Sequence, residues 1–199
     1  GRVDSNTVRI YAGGPDEGVS RELQRYAWAL GRIYQPEFQI LPVFRLDRIH
    51  RGSDHIPYYQ KGDPAIRFTE RVEDYRRQHL PLDTLAAVNF GYVTKIARLN
   101  AATAATLASA PAIPDSVTGR RDQPSGGQKW LLHWNPVPGA TSYEVLVRET
   151  TSPIWQQVLP VGDTTSYLLN FQLDDAVAGV RAVNADGFRS VVRDWPGGM

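Results

Sequence analysis

The pattern of hydrophobic and polar positions divides the chain into two parts. In the first part, β-rich alternating runs are separated by segments with helical spacing. Strands are predicted at Thr7–Ala12, Phe38–Leu46 and Ala65–Thr69. Helices are predicted from Ser20, a possible N-cap, to Tyr34, from Asp54 to Lys61, and from Asp83 to Leu107, where either Asp83 or Thr84 could be the cap. Strands alternating with helices indicate an α/β layer structure, although three strands make a thin sheet.

Beyond the Ala- and Pro-rich stretch Ala108–Pro114, the pattern changes to short alternating segments separated by turn residues. The predicted strands are Lys129–Trp134, Ser142–Arg148, Trp155–Leu159, Ser166–Leu169, Ala176–Val183 and Phe188–Val192. This spacing is typical of an antiparallel, immunoglobulin-like β-sandwich. We therefore predict an α/β region over residues 1–108, a linker over 109–114 and an all-β sandwich over 115–199.

Composition excludes several classes of function. The chain has 199 residues, 42% of them hydrophobic and 22% charged, which is typical of a globular protein. Its net charge of +1 creates no field for nucleic acid or an anionic membrane, and no apolar run approaches the length of a membrane span. The lack of cysteine excludes disulfides, thiolate metal ligands and a cysteine nucleophile. The chain begins Gly-Arg-Val-Asp without a methionine or signal sequence, so we expect it to be processed or part of a larger protein.

Three of the four histidines, His50, His55 and His79, lie close together in the first part. His79 lies in a polar loop, where an imidazole could bind a metal, act as a base or simply be solvated. His55 follows Asp54 and could be held by it, or could itself cap the short helix. No Gly-x-Ser-x-Gly, His-Glu-x-x-His or phosphate-loop motif occurs. These residues alone therefore leave the function open.

A set of short motifs over about residues 7–108 resembles a known family. The motifs are Ser53-Asp-His55, Gly62-x-Pro-Ala65, Phe68-Thr-Glu70, Tyr75 and His79-x-x-x-Asp83-Thr84. Their order and spacing are similar to those of the co-catalytic zinc aminopeptidases, the group that includes glutamate carboxypeptidase. The resemblance implies part of a three-layer zinc-exopeptidase domain, in which helices flank a mixed sheet, and it implies a peptide substrate.

The resemblance also implies roles for individual residues. His79 matches the family's zinc ligand, and neutral imidazole suits zinc. Ser53, Asp54 and His55 would form the wall of the substrate cleft. Asp83 would cap the last helix and brace the loop of His79. Glu70, at the end of a strand, would support the ligands or the strand itself.

The loop that precedes Ser53 carries further candidates. His50 matches a position where some relatives of that family have a tyrosine that contacts the substrate or the oxyanion, and a histidine could donate there instead. It could equally be a plain surface histidine. Arg45, Arg48 and Arg51 could bind a substrate carboxylate, but we expect them to form a solvated basic edge.

Most of the family's metal site has no counterpart in this sequence. Such peptidases use two zinc ions about 3.5–4 Å apart. The resemblance implies a histidine followed two residues later by an aspartate, a Glu-Glu pair that includes the general base, and an aspartate in a strand before Val8, and none of these occurs. We therefore expect the C-terminal part of a secreted or periplasmic zinc exopeptidase. Without its N-terminal half, this part should neither bind zinc tightly nor hydrolyse peptides, so no catalytic residue is assigned.

The second part resembles a fibronectin type III module over roughly 90 residues. The matching segments are Pro114-x-x-Val117, Leu132-His-Trp134-x-Pro136, Ala140-x-x-Tyr143-x-Val145 and Val180-Arg-Ala-Val-Asn184-x-x-Gly187. The tyrosine expected four residues before Val180 is Ala176, so the usual tyrosine corner is missing. Core packing is the default interpretation of Trp130, Trp134, Tyr143 and Trp155, with a ligand-binding face as the alternative. His133 alternates with Leu132 and Trp134 and should face solvent.

Two further functions fit the same residues. One is a non-catalytic adhesion or binding protein, built from a degenerate peptidase half and the fibronectin-like module. The other is a two-chain enzyme whose N-terminal half comes from another polypeptide. Aminopeptidase, dipeptidase and carboxypeptidase activities all stay open. A partial sheet leaves a strand edge uncovered, so we expect self-association through that edge or exposed apolar surface.

Overall fold

A computed structural model of the chain describes residues 4–16, 18–126, 128–195 and 197. The chain divides into two compact units, with the division between Ala105 and Thr106. Within the described ranges, no helix combines the length and the apolar content that crossing a membrane requires.

The first unit is a three-stranded mixed sheet with helices, which confirms the predicted α/β class. In chain order its elements are β1 (Thr7–Ala12), α1 (Val19–Tyr34), β2 (Gln39–Val43), α2 (His55–Gln60), β3 (Ile66–Glu70), a 3₁₀ turn (Leu85–Ala87) and α3 (Phe90–Ser109), which continues past the division. β1 lies in the centre, parallel to β2 and antiparallel to β3. Because β3 runs against β1, its last residue, Glu70, pairs with Val8 near the start of β1.

The core of this unit lies on one face of the sheet. Val8 and Ile10 alternate along β1 and are fully buried, and they pack with Ala27 of α1 and with Tyr92 and Leu99 of α3. The Tyr92 hydroxyl donates a hydrogen bond to the Thr7 carbonyl at 2.8 Å. Burial raises the pKa of Tyr92 to about 12, so this hydroxyl stays a neutral donor.

Two predicted helix starts in this unit are wrong. α1 begins at Val19 with Gly18 at the N-cap, so Ser20 is not the cap. Ser20 is buried in the first turn, where its hydroxyl accepts a hydrogen bond from the Ala65 N–H at 3.1 Å. The last helix begins at Phe90 rather than Asp83, because the Asn89 side chain caps it by accepting the Tyr92 N–H at 3.0 Å.

In the segment before α3, the hydrophobic periodicity of the sequence predicted a helix that does not form. Leu82, Leu85 and Val88 have helical spacing, but they are 67%, 76% and 37% exposed. Helices gain most of their stability by burying an apolar face, and the described residues of the first unit do not cover this one. Asp83 therefore caps no helix, and its N–H instead donates to the Leu80 carbonyl at 2.9 Å.

The second unit is an antiparallel β-sandwich, as predicted. One sheet has the order β10-β9-β6-β7 and the other β4-β5-β8. The strands are β4 (Thr118–Arg121), β5 (Trp130–His133), β6 (Ser142–Glu149), β7 (Gln157–Gly162), β8 (Ser166–Leu169), β9 (Ala176–Val183) and β10 (Arg193–Trp195). Leu132, Trp134, Val145 and Val180 are fully buried between the sheets. His133 is exposed, as its alternation predicts.

The edges of the sandwich differ from the prediction. The polar strand β4 was not predicted, and the last strand is Arg193–Trp195 rather than Phe188–Val192, where only an isolated bridge from Arg189 to Val183 forms. No tyrosine stands at Ala176, but the buried Tyr143 hydroxyl accepts the Val137 N–H at 2.7 Å. Tyr143 therefore fixes the turn that follows β5.

Candidate functional site

A cleft of about 470 Å³ runs along the open edge of β3. The four successive residues 67–70 line it, and successive side chains of a strand point to opposite faces, so the cleft follows the strand edge rather than one face. Tyr92, Val93 and Ile96 of α3 line the opposite wall. A second cavity of about 490 Å³ shares Glu70 and Tyr92 with it and extends toward Asp4.

Four carboxylates and two arginines, Arg67 and Arg77, belong to the polar lining of this cleft. Glu70, Glu73, Asp74 and Asp83 all contribute to it. Partial burial raises the pKa of the Glu70 carboxyl, and the neighbouring carboxylates of Glu73 and Asp74 raise it further. Hydrogen bonds from the Arg76 side chain, at 2.7 and 2.8 Å, instead hold the pKa of the exposed Asp74 below its usual range.

His79 lies on the loop that follows β3, next to the cleft-lining Gln78. It is exposed and occupies the third position of a four-residue turn closed by the Leu80 N–H and the Arg77 carbonyl at 3.1 Å. Its φ of 62° is left-handed, a conformation that favours glycine or asparagine at this turn position. Such a backbone costs a residue with a Cβ roughly 1–2 kcal/mol.

The other predicted site residues divide into two groups. Glu70 and Asp83 line the cleft, whereas Ser53, Asp54, His55 and His50 are not among its lining residues. Asp54 occupies the N-cap position of α2 without a side-chain hydrogen bond, so His55 is not the cap. His55 is buried, and its Nε2 donates to the Leu46 carbonyl at 2.7 Å, which fixes the loop between β2 and α2.

That loop, residues 44–54, nevertheless contacts the loop of His79. The Arg51 guanidinium lies 4.7 Å from the centre of the Tyr75 ring, and its Nη2 donates to Gln78 Oε1 at 3.2 Å. His50 is exposed on the same loop with a φ of 56°. The structure therefore brings the loops of His50 and His79 together through Arg51, although neither histidine makes the connection.

Sequence reasoning missed a cluster of ion pairs between these two loops. Arg48 was expected on a solvated basic edge, but only 9% of its side chain is exposed, and it pairs with Asp47 and Glu73. Arg9 of β1 also pairs with Glu73, and Arg67 of β3 with Asp47. Burial opposes ionisation of Asp47, yet hydrogen bonds from Arg48 and Arg67 lower its pKa. Apart from the adjacent Asp47 and Arg48, the partners are 20–64 residues apart in sequence, so no local pattern could reveal the cluster.

The described residues do not form a zinc site by themselves. Across those ranges, no group of three or more histidine, cysteine, aspartate or glutamate residues is arranged to hold a metal ion. Glu73 and Asp74, two carboxylates of the cleft, are engaged by arginines. A zinc ion needs four ligands or three and a water, so His79 could serve only as one member of a larger set.

Comparison with known proteins finds relatives along almost the whole chain. A probable zinc metalloprotease of Pyrenophora tritici-repentis is 31% identical over 201 residues, which cover 95% of this chain and 41% of that protein. Probable zinc metalloproteases of Pyrenophora teres f. teres and Pyricularia oryzae are 32% and 33% identical, over 92% of this chain and 40% and 39% of theirs. The chain thus spans about two fifths of the length of these relatives.

The other comparisons are narrower. No protein-family model matches the chain. Among solved structures, an Fn3-like protein from Clostridium thermocellum aligns with 42% of this chain and 85% of its own at a TM-score of 0.36 and 27% identity. An FN3 domain of human collagen XX aligns with 41% of this chain and 82% of its own at a TM-score of 0.31 and 20% identity.

Proposed function

We propose that this chain is part of a zinc-dependent exopeptidase, in which His79 supplies one zinc ligand and the cleft along β3 forms one wall of the peptide site. The observation that carries the proposal is the conformation of His79. An exposed histidine occupies a left-handed turn position where glycine or asparagine costs less, and although it does not itself line the cleft, the preceding residue, Gln78, does. Strained backbone of this kind concentrates at functional sites.

The relatives support the metal and the reaction class. They are named probable zinc metalloproteases, and their similarity extends over 92–95% of this chain. Because the chain spans about two fifths of their length, we assign the remaining zinc ligands and the general base to polypeptide outside the described residues. We therefore expect the 199 residues alone to show no chelator-sensitive peptidase activity.

The same surface supports a partner for the first unit. Leu80, Leu82, Leu85, Phe90 and Val93, on the segment after β3 and on the first turn of α3, are 49–76% exposed. We propose that further peptidase sequence of the kind the relatives carry packs on these side chains and forms another wall of the cleft, so that the edge strand β3 stays open to the peptide. Self-association of the isolated chain would use the same surface.

The surroundings of the Glu70 carboxylate favour an aminopeptidase over a carboxypeptidase, although Arg67 and Arg77 also line the cleft. Partial burial and the neighbouring carboxylates of Glu73 and Asp74 raise the pKa of the Glu70 carboxyl. A peptide with a free amino terminus would bring an ammonium group that offsets this negative charge, whereas a carboxylate terminus would add to it. We therefore propose that the substrate's amino terminus lies near Glu70.

A chimeric enzyme tests the proposal. The aligned segment of the Pyrenophora tritici-repentis relative would be replaced by this chain, and zinc content and hydrolysis of leucine p-nitroanilide would be measured. His79→Ala should remove one zinc ion and at least 100-fold of the turnover, whereas His133→Ala, at an exposed histidine of the sandwich, should change neither. Unchanged zinc and turnover in the His79 variant would disprove its assignment. A folded chimera without zinc would favour the adhesion alternative.

A further inference from the structure

We infer that Glu73 is the positioning residue that holds the loop of His79, residues 71–84, against the sheet and against the loop of residues 44–54. The inference rests on the proposed role of His79 as a ligand. A metal ligand on a loop needs that loop to be fixed, because the groups behind a ligand set its orientation and its affinity for the metal.

The backbone hydrogen bonds observed inside the His79 loop are local. They join Leu80 to Arg77, Asp83 to Leu80 and Thr84 to Leu82. Bonds of this kind shape the turns but do not attach the loop to the sheet. The attachment therefore depends on side chains.

Glu73 provides that attachment. Only 7% of its side chain is exposed, and one carboxylate oxygen accepts hydrogen bonds from Arg9 Nη2 at 2.7 Å and from the Tyr75 hydroxyl at 2.8 Å. The other oxygen accepts from Arg48 Nη1. Arg9 belongs to the central strand β1 and Arg48 to the neighbouring loop, so one carboxylate joins three parts of the unit.

The arginine partner of Glu73 is itself fixed. Asp47 accepts the Arg48 backbone N–H at 2.7 Å and its Nε at 3.2 Å, and it receives Arg67 Nη1 from β3 at 2.8 and 2.9 Å. Only 3% of the Asp47 side chain is exposed. Charge-assisted hydrogen bonds between partly buried groups are strong and directional, so Arg48 presents a rigid surface to Glu73.

The connection continues from Glu73 to the residue next to His79. The Tyr75 hydroxyl bonds to Glu73, the Tyr75 ring lies against Arg51, and Arg51 donates to Gln78. Gln78 and His79 are the two central residues of the turn that Arg77 and Leu80 close. Loss of the Glu73 charge should therefore loosen the turn that presents the imidazole, while the sheet stays intact.

Hydrogen exchange of the full 199-residue chain tests the anchoring. Glu73→Gln keeps the shape of the side chain and removes its charge, and Glu149→Gln, at an exposed glutamate of β6, is the matched control. Glu73→Gln should raise exchange within residues 71–84 at least tenfold and leave β1 and the sandwich unchanged. The control should behave as the unaltered chain. Exchange that is unchanged in the loop, or raised equally throughout the first unit, would overturn the inference.

Zinc affinity of the chimera separates this inference from the proposed function. Glu73→Gln should weaken zinc binding about tenfold, and Glu73→Asp, which keeps the charge, should restore part of it. If His79→Ala changes zinc binding but Glu73→Gln does not, Glu73 positions no ligand. If His79→Ala itself has no effect, the proposed function fails, and hydrogen exchange still decides whether Glu73 anchors the loop.

Discussion

Replacing each of three exposed histidines by asparagine tests whether the left-handed backbone at His79 is strained. His79 and His50 have left-handed backbone, with φ of 62° and 56°, whereas His133 lies in strand β5. All three side chains are exposed, so little packing is lost at any of them. The same chemical change should therefore act mainly through the backbone conformation at each site.

The expected effects differ in sign. A left-handed residue with a Cβ costs roughly 1–2 kcal/mol, and asparagine tolerates this conformation better than most residues. Histidine is itself enriched there, so we expect His79→Asn and His50→Asn each to raise the free energy of unfolding of the first unit by about 0.5 kcal/mol. Asparagine is disfavoured in strands, so His133→Asn should lower that of the second unit by about 0.5 kcal/mol.

Urea unfolding followed by amide NMR signals of each unit measures these changes separately. With a slope of roughly 1–3 kcal/mol per molar urea, a change of this size moves the midpoint by about 0.2–0.5 M. His79→Gly should stay close to zero, because glycine relieves the Cβ but gives the unfolded chain more freedom. If His79→Asn lowered the midpoint by this amount or more, the histidine would stabilise the folded turn. Its backbone conformation would then not indicate a functional role.

Three further changes test the fold and the cleft. Glu70→Gln should stabilise the first unit at neutral pH in thermal unfolding, because the pKa of Glu70 in the folded state is raised above 4.5. The gain in stability should shrink as the pH falls through that raised pKa and vanish below 4.5, where the carboxyl is protonated in both states. A gain that persists at about pH 3 would show that the charge of Glu70 is not its cause. Asn89→Ala should cost about 1 kcal/mol by removing the cap of α3, whereas Asn89→Asp should cost little, and equal losses in urea unfolding would exclude capping. Gly179→Ala should lower the free energy of unfolding of the second unit by about 1–2 kcal/mol, because the new Cβ would lie 2.5 Å from Val192 Cγ1 and 3.2 Å from the Arg193 carbonyl oxygen. Gly91→Ala, where the Cβ has more space, should be neutral or stabilising in the same assay.

The fold could be predicted wherever the hydrophobic pattern coincides with burial. β1, β8 and β9 have the predicted bounds, and each alternates residues of a packed core. The pattern failed where apolar residues are exposed, as in the segment before α3, because periodicity cannot show whether a face has a partner. The pattern also failed to predict β4, because this polar segment is extended through its pairing with β5 and not through the strand propensity of its own residues.

The candidate site was predictable only in part. Short motifs identified His79, Glu70 and Asp83, and Glu70 and Asp83 indeed line the cleft. The motifs could not reveal the arginine–carboxylate cluster, since Arg48 and Glu73 are 25 residues apart and neither has a distinctive neighbour. A basic loop suggests a solvated edge, and only the tertiary structure shows that Arg48 is buried between Asp47 of the same loop and Glu73 of the loop after β3.

The backbone at His79 and the buried charges around Glu73 each cost free energy of folding, and both lie on the loop that follows β3. Left-handed backbone at His79 costs free energy locally, and desolvating several charges at Glu73 and Asp47 costs free energy that good ion-pair geometry offsets but seldom exceeds. Neither His79 nor Glu73 belongs to the hydrophobic core that packs on the sheet. A turn that needed only to connect β3 to α3 could use glycine and a solvated surface. The combination is consistent with the proposed role of His79, because a metal ligand needs its imidazole to be held in a fixed place.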